Sequence, residues 1–410
     1  MGASVANRLD RAHARAWART PPAVALAGFL LYGLYAAVAI ARHGAESFAF
    51  VAANRLHQSD ASSTIATYAH VNSRLGYDGQ YYLFMALDPV KGWHYMDTPT
   101  YRYTHILYPM VAHVATLGHP AWTTYALVGV SVVAVGVGTL FASMFLVARG
   151  YPAWLGSLCF LYPGLFWAFT RDLAEPLAFT LVAAGLWLAL EPHSVRRIGA
   201  ATAAFGLAGL TRETALLIPV CIGAGLVLTA GRSLRTLGLS TFLVLASIAP
   251  YAIWRAVVLH WIGPRAVYHP TGRSAVNPYP ATFNPFSLTP YEGFIHAKHD
   301  LLVQVGVAFA GTVLLVACVL AVRRGWRDGV FIALCLSLLA HVVFLNVANY
   351  SEYPGAGRIQ VFTVLFAAGC LGSLQSSWLG ARLTRVAFVA AFLPLLVVVE
   401  RVAANGFRPF

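Results

Sequence analysis

Charge is the scarcest property of this chain. Only 10% of its 410 residues are Asp, Glu, Lys or Arg, against about 25% in a soluble domain. The deficit runs the whole length, which excludes a soluble domain hung on a single anchor. Cysteine is also sparse. Cys159, Cys221, Cys318, Cys335 and Cys370 all fall in apolar segments, with neither metal spacing nor a disulfide framework. There is no phosphate-cradling glycine loop, no nucleotide fold and no Ser-His-Asp pattern in recognisable context. His70, His94 and His105 lack ligand spacing, so no metal site is expected. The net charge of +13 invites a nucleic-acid reading. No continuous basic stripe with interleaved aromatics exists to track a phosphate backbone, and nucleic acid is excluded as a partner.

What the chain has is apolar sequence: 59% of residues are hydrophobic and the mean hydropathy is +0.66. Runs near the ~20 residues needed to cross the hydrocarbon recur throughout. In lipid every backbone amide must be satisfied within its own segment, so these runs are expected to be helices. The expected spans cover 22–40, 122–148, 152–169, 173–190, 198–210, 215–230, 237–258, 301–322, 330–347, 359–375 and 386–399. The fold class is therefore all-α, a polytopic membrane protein of about eleven transmembrane helices forming one integral membrane domain over 1–410. The first span lacks a small-residue cleavage site and reads as retained rather than as a signal peptide.

Arginines occur in groups between these runs: Arg8, Arg11, Arg15 and Arg19; Arg196 and Arg197; Arg232 and Arg235; Arg323, Arg324 and Arg327; Arg382 and Arg385. With the N-terminus in the cytoplasm, every group falls on the cytoplasmic side, as the positive-inside rule requires. Among the 15 acids only Asp10, Glu191 and Asp328 share that side. The other twelve lie on or near the outer face, five of them in a first outer loop over 42–105. A second long outer loop, over 259–300, is rich in Pro, Tyr, Asn and Gly. Within the first loop, 79–87 reads as a short interfacial helix ended by Asp88-Pro89. The apolar stretch 106–117, interrupted by Pro109, reads as a half-inserted helix.

Four constellations carry candidate chemistry. In Gly76-Tyr77-Asp78-Gly79-Gln80-Tyr81-Tyr82, Asp78 is either a general base for an acceptor hydroxyl or a cap for the helix that follows. Gln80 and Tyr81 stand beside it as substrate-lining residues. In Arg171-Asp172-Leu173-Ala174-Glu175, the two acids share a face if the first turn is helical, where the helix dipole also welcomes them. Thr211-Arg212-Glu213-Thr214 splits an apolar stretch. An adjacent Arg and Glu near membrane depth either pair with each other or face a wet cavity, and Arg212 is suited to gripping a phosphate. Arg358, entering a later span, either opposes a lipid phosphate or anchors the interface, and Arg265 and Arg273 carry the same ambiguity.

The order of a first span, an acid-bearing outer loop, a short interfacial helix and many spans resembles the GT-C superfamily of membrane glycosyltransferases. Residues 76–88, the stretch Tyr-Thr-His-Ile-Leu-Tyr-Pro at 103–109 and Gly-Leu-Ala-Gly-Leu-Thr-Arg-Glu-Thr-Ala-Leu-Leu-Ile-Pro at 206–219 look like the PIG-V type mannosyltransferase branch. The resemblance implies transfer of a sugar, mannose in that branch, from a polyprenyl-phosphate donor to a hydroxyl of a glycan or glycolipid acceptor. The transfer would proceed with inversion, on the extracytoplasmic face of the cell inner (plasma) membrane. It places Asp78 as the base, with Glu175 and Glu213 as further catalytic acids. Arg212, Arg358, Tyr81, Gln80, Arg171, Asp172 and His105 are then expected to contact substrate. No cofactor is expected. Some relatives have two adjacent acids where Asp78 stands alone, which leaves a divalent cation, and a second acid from Asp88 or Asp60, open. The competing reading is a transporter or lipid flippase, since broken helices and membrane-depth ion pairs also mark transport sites. Internal repeats would favour it, and none is evident.

Overall fold

The computed structural model describes residues 20–53, 63–73, 76–189, 194–229, 233–263 and 361–374, with isolated positions nearer the C-terminus. The spans expected over 301–322 and 330–347 lie outside the described residues, as do Asp60, Arg265, Arg273, Arg358 and nearly all of the 259–300 loop. The 386–399 span is touched only at isolated positions.

Among the described residues the chain is helical. The helices are α1 (Thr20–His43), α2 (Thr64–Tyr68), α3 (Gly79–Leu87), α4 (Pro99–Arg102), α5 (Leu107–Ala115), α6 (Thr123–Ala148) and α7 (Ser157–Phe160). They continue with α8 (Pro163–Phe169), α9 (Glu175–Leu188), α10 (Val195–Thr211), α11 (Leu217–Thr229), α12 (Leu234–Ile262) and α13 (Val361–Leu374). Extended pairing within these residues is limited to one bridge between Ala52 and Ser73.

Three segments are long and apolar enough to cross a membrane: Thr20–His43, Pro120–Ala148 and Leu234–Ile262. The 24 residues of α1 reach about 36 Å at 1.5 Å per residue, more than the ~30 Å hydrocarbon core. Its faces divide by residue type. Tyr32, Tyr35, Ala36 and Ala39 are buried, while Leu26, Leu30 and Leu34 are exposed. Small and aromatic residues make the protein contact and leucines face outward, the division expected when the surroundings are lipid. On α12 large apolar side chains, Phe242, Leu245 and Ile253, are likewise exposed.

At the centre α6 packs against α1 and α9, α9 packs on α10, and α10 and α11 both pack on α12. Phe145, Phe166, Phe169, Phe179 and Phe205 fill the main core. A second core forms around α3, with Tyr103, Tyr108, Leu173 and Val258 closing over it. Every residue of α3 is buried. Gln80 apart, its side chains are apolar or aromatic, and such a helix is at home when enclosed, so α3 is wrapped by protein rather than resting on a surface.

The expectations for 22–40, 79–87, 122–148 and 237–258 correspond to α1, α3, α6 and α12. Two others need correction. The stretch 152–169 is no single helix: it is a 3₁₀ turn at Ala153–Gly156, then α7 and α8, broken at Tyr162 with φ −69 and ψ 120. Pro163 forces the residue before it out of the helical region. Conversely, Pro109 does not interrupt 106–117. It lies in the first turn of α5, where its missing N–H has no intrahelical partner to lose. The segments expected at 173–190, 198–210, 215–230 and 359–375 hold α9, α10, α11 and α13, of 14, 17, 13 and 14 residues.

Candidate functional site

Asp78 stands immediately before α3, where a carboxylate would ordinarily cap. Its side chain does not. The N–H groups of Gln80 and Tyr81 already donate to the carbonyls of Tyr77 and Asp78, so the first turn needs no side-chain acceptor. The carboxylate turns instead to Arg102 at the end of α4, with Arg102 Nη1 3.0 Å from Asp78 Oδ1. Nε and Nη2 of Arg102 donate at 3.1 Å each to the two oxygens of Asp97, a bidentate clamp. Asp97 Oδ1 in turn accepts from the Thr98 N–H and hydroxyl at 2.7 and 3.1 Å. The guanidinium lies 4.4 Å from the centre of the Tyr81 ring. All three charged side chains are about one-fifth exposed, at 19%, 22% and 21% for Arg102, Asp78 and Asp97.

Burial opposes ionisation of Asp97, but the Arg102 charge and its hydrogen bonds, with those of Thr98, outweigh it and hold this carboxyl below its ordinary value. A depressed carboxylate contributes stability above its unfolded pKa, about 3.9, and loses it as pH falls through the folded value. Asp97→Asn is therefore expected to destabilise the protein by about 1 kcal/mol at pH 7. In thermal unfolding the gap from wild type should close below about pH 4; an equal gap at both pH values would show that charge is not the cause.

A second layer lies beside this triad. Thr211 ends α10, and Arg212 is extended, with φ −155. Its Nη2 lies 3.4 Å from Oε1 of Glu175, the first residue of α9. Arg212 is 8% exposed and Glu175 3%. Glu213 pairs with Nε2 of His105 and accepts from the Tyr101 hydroxyl at 3.4 Å. Pairing of Arg212 with Glu213 is one of the two alternatives the sequence leaves open; instead each makes a long-range pair. An extended backbone sends neighbouring side chains in different directions. Tyr101, whose hydroxyl donates to Glu213, has the Arg102 guanidinium 5.8 Å from its ring centre, which joins the two layers. From α12, Trp254 Nε1 donates to the Tyr103 carbonyl at 2.7 Å and secures the chain between α4 and α5.

Arg171 and Asp172 border the cluster through the backbone. A Cβ on Gly79 would collide with the Arg171 carbonyl oxygen and press on that of Ala49 at 3.2 Å, so only glycine fits there. The Arg171 guanidinium rests against Trp167, Tyr77 and Phe50, 4.0, 4.4 and 5.5 Å from their ring centres. Asp172 is fully buried, with φ 48. Because α9 begins at Glu175, Asp172 shares no helical face with it, and neither of its carboxylate oxygens has a hydrogen-bond partner among the described residues. The helix-terminus explanation for Asp172 does not hold. An unpaired carboxylate in such surroundings is costly, and the neutral acid is the form that fits.

Of the expected site residues, Asp78, Tyr81, Glu175, Arg212, Glu213 and His105 come together. Gln80 is turned away: its Oε1 accepts from the Ala52 N–H at 3.1 Å and ties the loop before α3. Asp88 is committed to a turn, accepting from the Val90 and Lys91 N–H groups at 3.1 and 2.9 Å. Asp97, Tyr101 and Arg102 had no place in the sequence reading. The available signal was Asp97-Thr98-Pro99, a helix start with Arg102 one turn on. Among the described residues no three His, Cys, Asp or Glu side chains group to hold a metal ion. Compared with known protein families, with characterised proteins and with solved structures, this chain matches none.

Proposed function

We propose that this protein is a membrane glycosyltransferase that moves a sugar, mannose by resemblance, from a polyprenyl-phosphate donor to an acceptor hydroxyl on the extracytoplasmic face. One observation carries the reading. A solvent-reachable carboxylate, Asp78, lies in a cluster with the Arg212–Glu175 and His105–Glu213 pairs, where α3 and α9 begin and α10 ends. In the reaction Asp78 accepts the proton of the acceptor hydroxyl as its oxygen bonds to the anomeric carbon from the face opposite the donor. The bond from that carbon to the phosphate oxygen breaks, giving inversion. The departing polyprenyl phosphate takes up negative charge, which Arg212 and Arg358 are suited to stabilise.

The decisive experiment incubates the purified full chain in lipid nanodiscs with a panel of polyprenyl-phosphate sugars and glycan or glycolipid acceptors. Release of polyprenyl phosphate, dependent on the acceptor, is the expected result. The break between α10 and α11 at Arg212 also suits a transporter. Protein that moves lipid-linked substrate across vesicles while releasing no polyprenyl phosphate would establish that alternative instead.

A further inference from the structure

We propose that Arg102 is a phosphate-binding residue that exchanges its contact with Asp78 for a phosphate oxyanion while staying anchored to Asp97. The exchange itself needs only an anionic ligand; its bearing on catalysis rests on the reading of Asp78 as the base.

The two carboxylates hold Arg102 unequally. Asp97 takes the Nε–Nη2 edge with two bonds and is itself fixed by Thr98. With Asp78, Arg102 makes an ion-pair contact through Nη1 at 3.0 Å. A guanidinium has five N–H donors, so anchoring one edge to Asp97 leaves the Nη1–Nη2 edge able to take two oxygens of one phosphate. Tyr81 supports the guanidinium from its face and keeps its plane in place. With about one-fifth of each side chain exposed, the triad is reachable from solvent. It carries one positive and two negative charges. A phosphate oxyanion displaces a carboxylate held by one ion-pair contact more readily than one held by two hydrogen bonds.

The exchange has a structural consequence. A phosphate taken up at the Nη1–Nη2 edge takes the place Asp78 holds, so phosphate binding and the Asp78–Arg102 ion pair exclude one another.

The test measures decaprenyl phosphate binding to the full chain by native mass spectrometry, with decaprenol and inorganic phosphate as companion ligands. Arg102→Gln is expected to weaken decaprenyl phosphate binding about 10- to 100-fold and leave decaprenol unchanged. Asp78→Asn, which removes the competitor, should tighten phosphate binding about 2- to 5-fold. Asp97→Asn, which removes the anchor, should weaken it. The gain from Asp78→Asn should vanish in the Arg102→Gln background. If Arg102→Gln does not fold, Arg102→Lys replaces it; the lysine keeps the charge without the fork, and the gain from Asp78→Asn should again be lost. Wild-type affinity in the Arg102 variant, or equal tightening by Asp78→Asn and Asp97→Asn, would overturn the exchange, the latter because it reports only net charge. Binding of inorganic phosphate with the same Arg102 dependence places recognition in the phosphate alone; its absence places part of it in the lipid. A protein that shows the full cycle but releases no polyprenyl phosphate from any sugar donor keeps the exchange and loses the transferase reading. Transfer activity without the cycle does the reverse.

Discussion

Arg212→Ala is expected to cost about 3–5 kcal/mol of stability, a fifth or more of what a typical domain possesses. The reason is what remains behind. Glu175 is 3% exposed at the start of α9, and Arg212 is the cation 3.4 Å from it. Without the guanidinium, a buried carboxylate loses the charge that balances its desolvation. The same reasoning predicts that Arg212→Met combined with Glu175→Leu recovers most of the loss, because apolar residues of similar volume leave no charge behind. Equilibrium unfolding in mixed micelles measures both. A single variant within about 1 kcal/mol of wild type would mean that water reaches this pair and screens it.

Asp78→Asn is expected to lower the rate of sugar transfer about 10²- to 10⁴-fold, the range for removal of a general base. Stability should change little, since Arg102 keeps both hydrogen bonds to Asp97 and α3 is closed by its own backbone. That separation of effects is what identifies a chemical role. Substrate binding should persist, so the loss belongs in turnover, read from release of polyprenyl phosphate at saturating donor. A well-folded Asp78→Asn protein working at the wild-type rate would remove Asp78 as the base and leave Glu175 and Glu213 to be examined in its place.

Local features were legible in the residue order, and distant pairings were not. The limits of α3 could be read because Asp78-Gly79 opens it and Asp88-Pro89 closes it, both through backbone chemistry confined to a few residues. Long apolar runs identified α1, α6 and α12 for the same reason. Tyr162-Pro163 carries a break signal that the apolar character of 152–169 overrode, and Pro109 shows the opposite error, a breaker harmless in a first turn. The partners of charged groups depend on how helices come together. Arg212 and Glu213 adjoin in sequence, yet one reaches back to α9 and the other to the end of the Tyr103–His105 turn. The Asp97–Arg102 clamp spans only five residues, but nothing in the order of residues announces that Asp78 completes it.

The missing side chain at Gly79 makes two distant stretches behave as one lever. The carbonyl of Arg171 occupies the space where any other residue would place its first carbon, so there is no slack between them. Asp78 is covalently the next residue to Gly79, and the lead-in to α9 carries Glu175 four residues beyond Arg171. That lead-in therefore sets the position of Asp78 and, through Glu175, that of Arg212, so one stretch of backbone fixes both the carboxylate before α3 and the ion pair beside it.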